Sequence, residues 1–249
     1  VALRSYGWVQ ATSGRLTDAE RAAVRAAIRR SYTDIAKGVV TWPLRRRGTP
    51  SIPQAPDSAL VRHAVEAAAE QGPALLGHGY RTWILGSVLA SVDRVAVDPE
   101  LLYVVSLLHD SGMTRQVVGT DFTLRSAEAV LDVFARAAQP PARGAAAADA
   151  VVAHATPGLA VADDPIGFYV QAGAMADLAG LRMWDLPRGQ LAAAYRDHPA
   201  HDVHRVIAAL IRREADDVPD GRFALLKRAG MATMVTLSPT RRHGRTHRS

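Results

Sequence analysis

The pair His109-Asp110 closes an apolar run made of Leu101, Leu102, Val104, Val105, Leu107 and Leu108. A helix that is apolar on nearly every side is buried, so the pair is expected at the inner end of a core helix. Burying an ionised carboxylate costs several kcal/mol unless it is paired or bound to a metal. Adjacent helical residues point ~100° apart, so both side chains reach one ion only from its flank, and other segments must complete the site. His78 stands near the start of a segment containing Trp83, Ile84, Leu85, Val88 and Leu89, and Asp177 is the lone carboxylate in the small-residue stretch 172–180. Together His78, His109, Asp110 and Asp177 offer two imidazoles and two carboxylates. That donor set suits one divalent transition ion, zinc first, with iron, manganese or nickel as alternatives, and leaves positions for water. Each residue also has a plainer reading as a helix cap or a hydrogen-bonded core group. A second group, His198, His201-Asp202 and His204, opens a segment with polar flanks, where the helix dipole already explains Asp202; it is the weaker candidate.

Helices must position these groups, because no segment alternates with period two for long enough to suggest a sheet. The chain reads as all-α. Thr17 and Glu20 form a capping box that opens an Ala/Arg-rich helix to about Lys37. Pro43, Pro50, Pro53 and Pro56 then forbid a long helix over 41–57, the main internal connector. Helices are expected over Ser58 to Gln71, Leu76 to Ser91, Asp98-Pro99 to about Ser111, Ser126 to Gln139, Arg143 to Ala155, Pro165 to Arg182 and Ala200 to Asp217. Residues 1–57 are read as an N-terminal helix and connector packed on a main domain of residues 58–239, followed by a basic, disordered tail at 240–249. No repeat at a fixed period is visible.

Composition narrows the chemistry. The 249 residues contain no cysteine, which excludes disulfides, thiolate metal sites and a cysteine nucleophile, so any metal is held by His, Asp or Glu. Hydrophobic residues make up 48% and charged residues 22%, ordinary globular usage, and no apolar stretch approaches the ~18 residues that span a bilayer. No membrane association is expected. No basic segment followed by an apolar one marks a secretion signal, and with Val1 in first place the natural start need not be this residue. Arg241, Arg242, Arg245 and Arg248 carry four of the six net positive charges, so the body is nearly balanced and nucleic acid is not an expected partner. The run Arg45–Arg47 near Trp42 reads as a solvated loop. Heavy use of Ala and Arg, with Lys only at positions 37 and 227, is expected of a high-GC bacterial source.

The order His78, His109-Asp110, Asp177 resembles the H…HD…D pattern of the HD-domain metallohydrolase superfamily. Gly77-His78-Gly79-Tyr80-Arg81 is similar to the His-x-x-Arg helix of its cyanamide hydratase-like branch. Leu107-Leu108-His109-Asp110-Ser111-Gly112 resembles Leu-Leu-His-Asp-x-Gly, Asp177-Leu178-Ala179-Gly180 resembles Asp-x-x-Gly, and Tyr6-Gly7-Trp8 is similar to that branch's Gly-Trp opening. The resemblance covers about residues 5–235. It implies an HD-type helical bundle with His78, His109, Asp110 and Asp177 as metal ligands. It also implies His154 in the pocket, with His154 and Asp110 as catalytic groups. Arg81 is expected to touch substrate or orient the carboxylates, and Phe122 and Thr123 to border the substrate. The sequence departs from the pattern at Thr123 and Ala155, where acidic residues are common, and at Met113, where nucleotide-signalling relatives often carry Lys.

What the resemblance implies is a cytoplasmic hydrolase or hydratase that uses a metal-activated water on a small polar molecule, with cyanamide- or nitrile-type hydration as one version. Phosphoester hydrolysis of a nucleotide-like substrate is the alternative, with a phosphate met by Arg115 or Arg125. An iron oxygenase stands third, because it needs more histidines between the pair and the last Asp than His154 supplies. The partner is a small-molecule substrate, and assembly into a homo-oligomer stays open.

Overall fold

Helix-starting signals account for most of the elements. In the computed structural model, which describes residues 2–41 and 53–245, the secondary structure is helical apart from one isolated bridge between Val117 and Thr120. The Arg45–Arg47 run, Trp42, Pro43, Pro50 and Arg248 lie outside the described residues. The elements are α1 (Tyr6–Thr12), α2 (Asp18–Thr41), α3 (Ala59–Ala69), α4 (Pro73–Asp93), α5 (Pro99–Leu108), α6 (Phe122–Arg136), α7 (Pro141–His154), α8 (Pro165–Ala179), α9 (Gln190–Asp197), α10 (Val203–Asp217), α11 (Arg222–Arg228) and α12 (Met231–Thr236). The Thr17 hydroxyl accepts from the Glu20 N–H at 3.3 Å while Glu20 accepts the Thr17 N–H at 2.8 Å, so the capping box forms as expected. Ser58 caps α3 and Asp98 caps α5, the latter with Pro99 in the first turn. No helix among the described residues is long and apolar enough to cross a membrane.

Helices α4 and α8 form the centre, flanked by α5 and α7; α3 and α6 pack on these from one side, and α10 to α12 cover the other. Trp8, Val9, Leu16, Val24 and Ile28 from the N-terminal segments are buried in the same core cluster. What fixes the register of α4 on α8 is the absence of side chains. A Cβ on Gly173 would lie 2.2 Å from the Thr82 carbonyl oxygen, and one on Gly86 would lie 2.5 Å from that of Tyr169. One turn further along, His78 bonds Asp177. The pairs 78–177, 82–173 and 86–169 advance by four residues on each helix in opposite directions, so a single antiparallel ridge carries both the close approach and the polar contact.

A second buried device joins four helices. The Arg222 guanidinium donates to Asp121 Oδ2 at 3.0 Å, Thr123 Oγ1 at 2.9 Å, Thr156 Oγ1 at 2.7 Å and the Val152 carbonyl at 2.9 Å, and it lies over the Trp8 ring. On the other side of the α6 N-terminus, Glu214 accepts the Phe122 N–H at 2.9 Å. Burial, then the neighbouring Asp121 carboxylate, pushes the Glu214 carboxyl from the ordinary 4.5 up to about 7, against the pull of the Phe122 N–H and Arg125.

Residues 239–245, which reach into the segment read as a tail, form a short 3₁₀ turn. Thr240 is buried, and its hydroxyl donates to the Asp177 carbonyl at 2.6 Å. That bond satisfies a carbonyl near the C-terminus of α8, a helix end that otherwise leaves acceptors without partners.

Gly173→Ala is expected to destabilise the fold by ~1–3 kcal/mol, since the new methyl meets backbone that cannot turn aside; the chemical-denaturation midpoint at unchanged slope measures it. A second expectation concerns pH. Between 4.5 and about 7 the folded state keeps the Glu214 proton that the unfolded chain releases, so this residue's contribution falls as pH rises. The stability of Glu214→Gln relative to wild type should therefore increase from pH 5 to pH 8, and a constant difference across that range would remove Glu214 as the cause.

Candidate metal centre

His109 is the last residue of α5 to keep helical dihedrals, and Asp110 breaks the path at φ −104°, ψ 5° to start a 3₁₀ turn over Ser111–Arg115. The turn is seated against α6 by Gly112, whose N–H donates to Ser126 Oγ at 2.8 Å and whose missing Cβ would lie 2.1 Å from the Phe122 carbonyl oxygen. A glycine two residues after the Asp thus has a steric cause. Three buried imidazoles surround Asp110. His109 Nε2 lies 3.3 Å and His78 Nε2 3.7 Å from Asp110 Oδ2, and His154 Nε2 lies 3.7 Å from Oδ1. The His78 and His109 ring centroids are 5.1 Å apart, and those of His109 and His154 are 4.9 Å apart.

The opposite nitrogen of each ring decides what these Nε2 atoms are. His109 Nδ1 is 2.7 Å from the Ser106 carbonyl, His154 Nδ1 bonds the Val151 carbonyl, and His78 Nδ1 is 2.7 Å from Asp177 Oδ2. All three partners only accept, so each Nδ1 carries a hydrogen, and a ring without a second proton presents a bare lone pair at Nε2. His78 Nε2 and His109 Nε2 are buried with no hydrogen-bond partner among the described residues. Lone pairs facing a carboxylate oxygen repel unless a cation or a proton lies between them. His78 Nε2, His109 Nε2 and an Asp110 oxygen lie within 4.8 Å of one another, a buried group able to hold a metal ion. The nitrogen and oxygen donors fit a borderline divalent ion.

Protonation follows from the same contacts. Burial would raise the Asp110 pKa, but His109 first, then His154 and His78, hold it well below the ordinary carboxylate range. Burial pushes His78 and His154 down, whereas Asp110 holds His109 up against its burial.

Asp177 does not join this group. Arg81 Nε donates to its Oδ1 at 2.7 Å, and Oδ2 accepts from both Arg81 Nη2 at 3.0 Å and His78 Nδ1 at 2.7 Å. The expected fourth ligand therefore stands behind His78, on the ring nitrogen opposite the cluster, where it orients the imidazole. Burial opposes its charge, yet Arg81 and His78 hold Asp177 below the carboxylate range. Arg81 is fully buried; its Nη1 donates to the His198 and Pro199 carbonyls at 2.8 and 3.1 Å, and the guanidinium lies over Tyr195. Of its two expected roles, orienting a carboxylate is the one its contacts match.

Phe122 and Thr123, expected to border the substrate, are both buried and held by protein contacts. Phe122 is buried with its ring edge-on to His154 and Phe223, where it braces the imidazole. Thr123 turns its hydroxyl to Asp121 Oδ1 at 2.6 Å and accepts from Arg222. The second histidine group disperses: His198 stacks on Tyr80, and buried His204, pushed down to about 4 by burial, bonds Thr240. Sequence reasoning did not foresee Tyr195 and Thr240, whose hydroxyls hold the Asp177 carbonyl; neither stands in a recognisable motif.

A cavity of about 680 Å³ opens on His78, His109, Asp110 and His154, and runs between α2, α8, α10 and α12. No protein-family model matches the chain, and no curated protein matches it.

His78→Ala, His109→Ala and Asp110→Ala are each expected to abolish binding of a divalent ion, because each removes a donor from a group of three. Asp177→Asn should weaken binding ~10–100-fold without abolishing it, as for a residue that orients a ligand. Elemental analysis and competition with a chromophoric chelator read both effects. Loss of metal in Asp177→Asn as complete as in His109→Ala would make Asp177 a ligand.

Proposed function

We propose that the protein is a metal-dependent hydrolase or hydratase of HD type, in which His78, His109 and Asp110 hold one divalent ion and Asp177 with Arg81 orients His78. The observation that carries this reading is the pair of buried, unpartnered Nε2 atoms of His78 and His109 facing the Asp110 carboxylate at the floor of the cavity. The resemblance of the His78, His109-Asp110, Asp177 order to the H…HD…D pattern supports it from the sequence side. A bound divalent ion lowers the pKa of a coordinated water towards ~7 and polarises an electrophile.

The chain's own groups handle binding and the proton. The Val151 carbonyl holds the His154 Nδ1–H, which leaves Nε2 as the acceptor on the cavity side. His154 would take a proton from the attacking water and deliver it to the leaving group of an amide or ester, or to the nitrogen of a nitrile, and Asp110 Oδ1, 3.7 Å away, would stabilise the imidazolium in between. Phe122 keeps the ring from turning. The cavity lining favours a carbon electrophile such as a nitrile, amide or ester over a nucleotide phosphate. Its cationic residues are Arg30 and Arg182, and Arg182 is already paired with Asp93 at 2.8 Å and Asp185 at 3.0 Å.

The test is metal content and turnover on one preparation, against a panel of nitriles, amides, esters and phosphomonoesters. Wild type should carry about one divalent ion per chain and turn over a carbon substrate only when loaded. His154→Ala should keep the ion while losing ~10²-fold or more in turnover. A wild-type protein that binds no divalent ion would end the reading, and loss of metal in His154→Ala would make His154 a ligand instead of a proton carrier.

A further inference from the structure

We propose that the substrate of this centre carries a large apolar body, which the cavity beyond the metal site is built to take. The proposal rests on the hydrolase reading for the polar head and adds the class of molecule attached to it. Its first support is size. At ~30 Å³ per water molecule, 680 Å³ corresponds to about twenty waters, far more than a molecule of three or four heavy atoms fills, and it lies within the ~300–1,000 Å³ of sites that enclose drug-sized ligands.

The second support is how polarity is distributed. Besides His78, His109, Asp110 and His154 and the charged Arg30, Asp34, Asp93 and Arg182, the lining is mostly apolar and comes from separate elements, with Ile28 and Ile35 on α2, Phe168 and Met175 on α8, and Met231 and Met234 on α12. Methionines are unbranched and adapt to irregular apolar shapes. Water against such walls is poorly bonded, so filling the space with hydrocarbon is favourable, and the gain scales with the area covered. Trp184 adds an aromatic surface to the lining.

The expectation from sequence was a small polar molecule of cyanamide type; the walls favour an extended one, with an acyl or alkyl chain behind the electrophile. A nucleotide fits them badly, because the cationic groups a phosphate needs are scarce in the lining.

The experiment is calorimetric titration of full-length protein, loaded with zinc and separately stripped with chelator, with butyrate, hexanoate, octanoate and decanoate. The carboxylate stands in for the polar head. In the loaded protein Kd should tighten by up to about fourfold per added methylene, as ~0.8 kcal/mol per buried CH₂ implies, until the cavity is filled. Ser31→Trp, which places an indole in the cavity from the partly exposed α2, should flatten the series beyond butyrate at unchanged metal content. Met231→Gln, which keeps side-chain length and adds a polar amide, should reduce the slope if the Trp variant folds poorly. A flat series in wild type would overturn the proposal, as would a slope that Ser31→Trp and Met231→Gln leave unchanged, or tighter binding of adenosine monophosphate than of decanoate. A slope equal in loaded and stripped protein, with no gain in affinity from zinc, would keep the apolar site while removing the metal from the head-group reading.

Discussion

The bond between Arg81 and Asp177 is the constraint on which the rest of the site depends. Both side chains are fully buried, and the pair is held by two charge-assisted bonds of 2.7 and 3.0 Å. Removing two ions from water costs several kcal/mol each, and only good geometry with every remaining donor satisfied recovers it. Here the remaining guanidinium donors reach the His198 and Pro199 carbonyls, and the second lone pair of Asp177 Oδ2 takes the His78 N–H. One ion pair therefore ties α4 to α8, draws in the segment between α9 and α10, and fixes the tautomer of His78. The Asp177 main chain is held separately by Tyr195 and Thr240, so the carboxylate is located at both ends.

That pair leaves the next layer with a charge to balance. Arg81 cancels Asp177, while Asp110, held ionised by its histidine neighbours, faces three rings whose Nδ1 hydrogens already point away. A proton on His109 is one compensation, in line with Asp110 holding that ring's pKa up. A divalent ion would be a fuller one: it would satisfy the His78 and His109 lone pairs together and displace the proton, so its binding would release hydrogen ions and strengthen as pH rises. The same accounting explains why Asp177 need not be a ligand. Its charge is spent on Arg81, and what it gives the centre is the basicity and direction of His78.

How much of this was legible in the sequence follows from how local each cause is. Caps and prolines act within a few residues, so the starts of α2, α3, α5 and α8 were readable from Thr17, Ser58, Asp98-Pro99 and Pro165. Helix α6 begins at Phe122, not Ser126, because Asp121 caps it at Thr123. The short helices α9, α11 and α12 span too few turns for an apolar period to show. His78, His109 and Asp110 were legible because buried titratable side chains on apolar helices need partners, whereas His154 entered through the resemblance alone. The displacement of Asp177 was not legible, since which ring nitrogen faces the carboxylate depends on the α4–α8 register, set by Gly86 and Gly173 at long range. Phe122 packs edge-on against His154, while the buried Arg222 gives Thr123 a partner that lies about a hundred residues away in sequence.

The two halves of the cavity follow from the two kinds of packing around it. On the α4–α8 side glycines let backbones touch, and this close packing sets the register that brings His78 to Asp177. The lining from α2 and α12 is side chain instead, isoleucine from the first and unbranched, adaptable methionine from the second. Electrostatic interactions at the floor strengthen as water is replaced by hydrocarbon, because the local dielectric falls. An apolar occupant between the walls would therefore do more than add affinity. It would complete the low-dielectric surroundings in which the Asp110–histidine group acts, so that recognition of the body and reactivity at the head become one coupled property of the same cavity.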